Sequence, residues 1–154
     1  MKIIAEINGG IRRTLKIPKK ITIEWSNPEK VDDVLKSPTL KEDRWGLYQI
    51  CTETENEITF LYIGKSWADY HKRLRSHRKE WFKLYKGKKY VRFGSFDKRI
   101  NEIQLGEIEK AIIFETPLLH NNKCTLSYKI NHDYIITSIG NRGAVPSLVK
   151  TEIY

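Results

Sequence analysis

GLYQICTETENEITFLYIGKSWADYHKRLRSH, residues 46–77, is the stretch whose reading decides the fold. Two short apolar runs, Leu47–Cys51 and Ile58–Ile63, flank the polar segment TETENE. A turn-forming polar island between β-rich runs predicts an antiparallel hairpin. With the turn centred on Glu55, Tyr48 stands opposite Tyr62, and facing residues on antiparallel strands share a face. Gly64 is expected to break the second strand, and Ser66 with Asp69 three residues later gives a capping-box-like helix start. On that helix Arg73 and His77 lie one turn apart on one side. The expected product is a compact set of two phenols, a guanidinium and an imidazole.

That order of residues resembles the GIY-YIG nuclease family. Gly46-Leu47-Tyr48 matches the first tripeptide with Leu for Ile, and Tyr62-Ile63-Gly64 matches the second without change. Arg73 and His77 match the family's helical arginine and the histidine four residues after it. Further on, IEKAIIFETPLLHNN resembles the helix that carries the family's metal-binding glutamate, followed by a proline and an asparagine. Glu109, Pro117 and Asn121 fill those places, with Asn122 the other candidate for the asparagine. The resemblance covers roughly residues 46–122. It implies an α/β (α+β) fold: a small central antiparallel or mixed three-stranded sheet flanked by helices. Around it the chain reads as one domain, 1–154, made of a β-rich extension with a short helix (1–44), a nuclease-like core (45–122) and a C-terminal extension (123–154).

Composition agrees with a single soluble unit. A chain of 154 residues can build a proper core. No apolar run approaches the roughly 18 residues of a membrane span, and the start, MKIIAEINGG, does not read as a signal peptide. Cys51 and Cys124 lack metal-ligand spacing, so Cys51 is expected as a buried free thiol in a reducing cytoplasm, without a zinc site or disulfide framework. The net charge of +9 is localised. Residues 65–92 contain eleven Lys or Arg and two acids, while the remaining 17 basic and 17 acidic residues cancel. Such clustering is the footprint of polyanion binding. Trp67, Tyr70, Trp81, Tyr85 and Tyr90 are interleaved with it. Lys65, Ser66, Lys72, Arg75, Arg78, Lys79 and Lys83 are the expected nucleic-acid contacts.

Outside the motif, KIIAEI and IRRTLKI flank Asn8-Gly9-Gly10, a strong hairpin signal, and Ile21, Ile23 and Trp25 alternate as in a half-buried strand. This N-terminal piece reads as an added small sheet. Ser26-Asn27-Pro28-Glu29 reads as a helix cap for VDDVLK, and 37–45 as a polar connector. Lys86-Gly87-Lys88-Lys89 reads as a loop before a third strand, YVRFGSF, which Gly94 is expected to weaken. Leu105, Ile108 and Ile112 form a helical stripe bordered by Glu109, with Glu107 and Glu115 as fallback carboxylates. Tyr134–Ile139 reads as a strand and the C-terminal stretch as a turn-rich edge segment. Arg142 lies between Gly140 and Gly143, where backbone can approach a phosphate.

Phosphodiester hydrolysis needs an activated water and stabilised charge on the phosphoryl and departing oxygens, most of it supplied by electrostatic placement. The resemblance implies that Glu109 holds one divalent ion, Mg²⁺ or Mn²⁺, which suits oxygen ligands and retains waters. It implies that Arg73 bonds the scissile phosphate with its fork of donors. Tyr48 is the candidate base, Tyr62 its neighbour, and His77 a proton relay or phosphate ligand. A phenol is a poor base unless its pKa of about 10 is lowered by positive charge, for which Lys65, Arg73 and the metal are at hand. The expected function is a metal-dependent DNA endonuclease. RNA or branched nucleic acid is the other expected substrate, and a protein partner stays open. The alternatives are a catalytically inactive nucleic-acid-binding module of the same fold and a basic RNA-associated protein whose aromatics stack on bases.

Overall fold

The structure is a computed structural model that describes residues 2–7, 11–37, 44–121 and 128–151. The Asn8-Gly9-Gly10 turn, most of the 37–45 connector, Asn122 and Cys124 lie outside the described residues. Strands β1 (Lys2–Ile7) and β2 (Ile11–Lys16) pair as an antiparallel two-stranded sheet of their own. The main sheet has seven strands: β3 (Lys19–Trp25), β4 (Glu29–Lys30), β5 (Trp45–Glu53), β6 (Ile58–Trp67), β7 (Lys88–Phe96), β8 (Tyr134–Gly140) and β9 (Leu148–Lys150). Their order is β6-β5-β7-β3-β8-β9, with β4 also pairing β7. Three α-helices are described: α1 (Val31–Lys36), α2 (Tyr70–Glu80) and α3 (Glu102–Glu115).

This corrects the expected three-stranded sheet flanked by helices. The molecule is mostly one curled, mixed sheet. The expected trio β5, β6 and β7 is present, but β7 carries β3 and β4 on its other side. Residues 19–30 are therefore part of the central sheet, and β8 extends it by parallel pairing with β3. The reason lies in β7, whose residues Val91 to Gly94 are all buried. A strand buried on both faces needs its backbone groups paired on both sides. Gly94 does not weaken it. A Cβ there would come within 2.8 Å of Ile23 Cγ2, so the glycine makes room for β3.

Two other local expectations change. Ser26 is not a helix cap: its backbone N–H donates to Phe93 O at 2.9 Å, and its hydroxyl accepts from Phe93 N at 2.9 Å. Glu29 and Lys30 pair with β7 instead of opening a helix. Gly64 does not end β6, which runs on to Trp67.

Each face of the sheet has its own core. One joins Leu47, Ile63, Ile23 and Trp25 to Leu105, Ile108, Ala111 and Ile112 of α3. The other joins Tyr48, Ile50, Val91 and Phe93 to Val31 and Val34 of α1 and to Tyr70, Leu74 and Trp81. The α3 stripe is as expected, and the helix starts with a capping box in which Asn101 and Gln104 satisfy each other's backbone. No helix among the described residues is long and apolar enough to cross a membrane. Because Ile23 is fully buried in a central strand, Ile23→Ala is expected to lower stability by about 2–5 kcal/mol in urea unfolding. A loss within about 0.5 kcal/mol, the range of surface changes, would place the strand outside the core.

Candidate functional site

The hairpin turn spans 54–57, with Glu53 paired to Ile58 and Thr54 N–H bonded to Glu57 O. That register on its own would set Tyr62 opposite Gln49, on the α3 face. It does not persist. Cys51 pairs with Phe60, Ile50 pairs with Tyr62, and Leu61 is left over as a bulge. One extra residue reverses the alternation beyond it. Tyr48 is thus paired with Gly64 rather than with Tyr62, and the phenols are diagonal neighbours on one face, ring centroids 6.1 Å apart. The expected shared face is present, by a different register. Gly64 lacks a side chain where one is forbidden: a Cβ would lie 2.5 Å from Tyr48 Oη and 2.7 Å from the Tyr62 ring.

Because β6 is the last strand of its sheet, its outer backbone groups need partners. The chain beyond α3 supplies them. His120 N–H donates to Leu61 O at 2.8 Å, and the Asn121 side chain accepts from Ile63 N and donates to Ile63 O, both at 2.9 Å. Asn121 is accordingly a backbone clamp that holds the bulged strand in place.

Helix α2 brings His77 and Arg73 over the phenols. His77 Nδ1 accepts the indole N–H of Trp81 at 2.8 Å. A neutral imidazole has one N–H, so the proton belongs on Nε2, which donates to Tyr48 Oη at 2.8 Å. Burial first, then Arg73 and His120, push His77 down to about 4. The imidazole is neutral at neutral pH. Arg73 lies near enough to Tyr48 and Tyr62 to act on both phenols electrostatically. With its oxygen taking the N–H of His77, Tyr48 keeps its own proton to donate. Both phenols are pushed up by burial, Tyr48 well above the usual phenol range, and the nearby Arg73 opposes this without winning. Tyr48 is fully buried and Tyr62 partly open, so Tyr62 is the phenol that solvent can reach.

Asp69 does not form a capping box with Ser66. Its carboxylate accepts from Trp67 N and from Arg73 Nε at 2.9 Å, which fixes the guanidinium. Glu109 comes from α3, on the opposite face, and lies near Lys65 of β6 and Arg73. Its surroundings raise its pKa by burial, with Lys65 and Arg73 opposing, and its charge acts on both phenols. Glu107, the fallback, is committed elsewhere: it accepts hydrogen bonds from Asn131 N, from His132 Nδ1 at 2.8 Å and from Tyr134 Oη at 2.9 Å. Glu115 is exposed at the end of α3. Among the described residues there is no cluster of three or more metal-ligating side chains. A lone, half-buried carboxylate offers a hard ion one protein oxygen ligand and leaves most of its waters in place.

Comparison of the chain with family models, curated proteins and solved structures gives no match in any of the three. The geometry therefore stands on its own. Of the expected contact residues, Lys72, Arg75, Lys79 and Lys83 are exposed on α2 and beyond it, and Arg78 is paired with Asp32 at 3.2 Å. Lys65 lines a cleft of about 320 Å³ beside Gly106, with Lys110 and Lys129. Ser66 is a correction: it is fully buried and its hydroxyl donates to Arg44 O at 2.8 Å. Arg92, counted in the basic segment, is also buried, over the Phe60 ring and against the free thiol of Cys51. Arg142 folds inward, its carbonyl held by Gln49 and its guanidinium by Val145 O. Sequence reasoning missed His120, which stacks on Trp81 at 4.0 Å, and the role of Trp81 itself. The four-residue interval between His77 and Trp81 was the available signal.

The depressed His77 pKa has a pH consequence. An unfolded histidine binds its proton near 6.5, whereas the folded one waits until about 4. Stability is therefore whole above about pH 6.5 and falls as pH drops toward 4, by about 1–2 kcal/mol after allowance for partial exposure. Comparing urea midpoints of wild type and His77→Gln over that range should isolate the effect, and a difference independent of pH would contradict it. Trp81→Phe removes the N–H that sets the tautomer. The His77 ¹⁵N shifts should show one Nε2–H form in wild type and a mixture in the variant.

Proposed function

We propose that this chain is a metal-dependent endonuclease of the GIY-YIG type, hydrolysing phosphodiester bonds in DNA. The observation that carries the reading is convergence. The Tyr48 and Tyr62 rings and His77 pack together, Tyr48 bonded to His77, with Arg73 and Glu109 near enough to act on both phenols. Such a group next to exposed cations suits a phosphate with a cleavable ester bond better than it suits a purely structural edge.

In this reading Arg73, fixed by Asp69, binds the scissile phosphate with the donors that Asp69 leaves over. Tyr62, partly open where Tyr48 is buried, takes the place expected of Tyr48: in its ionised form it meets the attacking water and takes up its proton. Tyr48 stands behind it as a hydrogen-bond donor and is oriented in turn by His77 and Trp81. Glu109 would hold Mg²⁺ or Mn²⁺, which supplies charge stabilisation to the phosphoryl and departing oxygens. Lys65 flanks the same carboxylate. Asn121 acts at one remove, by holding the strand that carries Tyr62. Because burial keeps both phenols above their usual range, the cleavage rate should rise with pH from 6 to 9.

Cleavage of labelled duplex, branched and single-stranded DNA with Mg²⁺ or Mn²⁺ tests the proposal, with binding measured in parallel without metal. Glu109→Gln should abolish cutting and keep binding, and Tyr62→Phe should slow cutting by about 10²–10⁴-fold and flatten its rise with pH. Binding without cutting on every substrate would leave the inactive binding module as the answer. Cutting that survives Glu109→Gln would reject this carboxylate as the metal ligand.

A further inference from the structure

On the far flank of α2 lies a second cleft, of about 430 Å³, lined by Lys30, Asp32, Arg78, Phe82, Lys88 and Lys89 among others. None of the tyrosine-site residues lines it. His77 and Arg78 are adjacent in sequence but about 100° apart around the helix, so the two sites share α2 and use opposite sides of its buried stripe. Four cations face one acid, and that acid, Asp32, is in a solvent-exposed pair with Arg78. Such a pair is weak and can be exchanged for a stronger anion.

The cleft is also built before any ligand arrives. Lys89 Nζ donates to Tyr85 O and to Gly87 O, both at 2.7 Å, and lies 5.8 Å from the centre of the Phe82 ring. An ammonium has three donors, so this one is held by two and has a third to offer. The loop that supplies the carbonyls is fixed as well. Thr52 Oγ1 donates to Lys86 O at 2.6 Å, and Gly87, at φ +106°, passes so close to β5 that a Cβ would fall 2.5 Å from Glu53 O. Only glycine takes that conformation and that approach without strain. A fixed ammonium on an apolar floor, with three further cations at the rim, matches a dianion with several acceptor oxygens.

We infer that this cleft is a second anion site that takes a phosphate group and is separate from the tyrosine cluster. The group can come from a nucleic-acid backbone or from a free phosphorylated compound, since both present the same chemistry. The inference does not depend on the chain being a nuclease. In binding, Arg78 turns from Asp32 to the phosphate, so Asp32 is a built-in competitor.

Inorganic pyrophosphate titrated into ¹⁵N-labelled full-length protein at low salt tests this, with the amides of Lys30, Val31, Gly87 and Lys88 as reporters. Saturable shifts are expected there. Lys30→Gln/Lys88→Gln, at two exposed positions that leave the core untouched, should weaken binding at least about tenfold. Asp32→Asn should tighten it, a change of sign that mere damage to the fold would not give, and Arg73→Gln should leave it unchanged. Duplex DNA then separates the sources. If the backbone is the ligand, duplex displaces pyrophosphate, and the double variant lowers the salt slope of duplex binding by about 0.9 for each phosphate it no longer neutralises. If a free compound is the ligand, duplex binding is the same in both proteins while the pyrophosphate response still disappears. Shifts that never saturate, or that persist in the double variant, would overturn the site.

Discussion

Leu61 has no partner across the β5–β6 ladder, and the groups around Tyr62 are placed by that one irregularity. A strand alternates with period two. The register set by the 54–57 turn would send Tyr62 to the α3 face, away from Tyr48 and His77. The bulge shifts the remainder of β6 by one position and brings Tyr62 and Gly64 to the face that Tyr48 occupies. Bulges disturb pairing and leave backbone groups over; here His120 N–H takes the Leu61 carbonyl, and Asn121 satisfies the outer edge at Ile63. Asn121, expected as a catalytic residue, therefore bonds to the main chain of the strand that carries Tyr62.

Around the phenols, two electrostatic effects compete. Burial favours the neutral phenol and outweighs the nearby positive charge of Arg73. The groups around the phenols are nevertheless held in place: a guanidinium fixed by Asp69, and an imidazole whose tautomer is fixed by Trp81 and which bonds Tyr48 Oη. Such preorganised donors cost no rearrangement when charge develops. The same burial keeps His77 neutral, so that it donates a single, directed hydrogen bond rather than a second positive charge. Glu109 is raised by burial in spite of Lys65 and Arg73, a carboxylate whose negative charge is not fully offset by its protein neighbours.

Local elements were more legible in the sequence than the sheet that joins them. Local patterns were enough for the β5–β6 hairpin, the α3 stripe and the Arg73–His77 spacing, because each is set by residues within a few positions of one another. The full sheet was not legible, since β3 pairs with β7 and β8 across long stretches of chain and alternation alone does not name a partner. The glycines misled for a related reason. Gly64 and Gly94 look like strand breakers, yet each makes room for side chains that come from other strands. Ser26 and Ser66 have cap-like spacing but bond to Phe93 and Arg44, interactions that only the folded sheet creates. The bulge itself has no signature in the composition of LYIG.

The most direct test of this account is the set of ring contacts made by Tyr62, read as nuclear Overhauser effects in the wild-type protein. With the bulge at Leu61, the Tyr62 ring lies 4.6 Å from His77 and 5.8 Å from Trp81, centre to centre, and strong cross-peaks to both are predicted. Cross-peaks from Tyr62 to the aliphatic side chains of α3 instead would mean an unbulged strand. The two phenols would then be on opposite faces of the sheet, and the site described above would not exist.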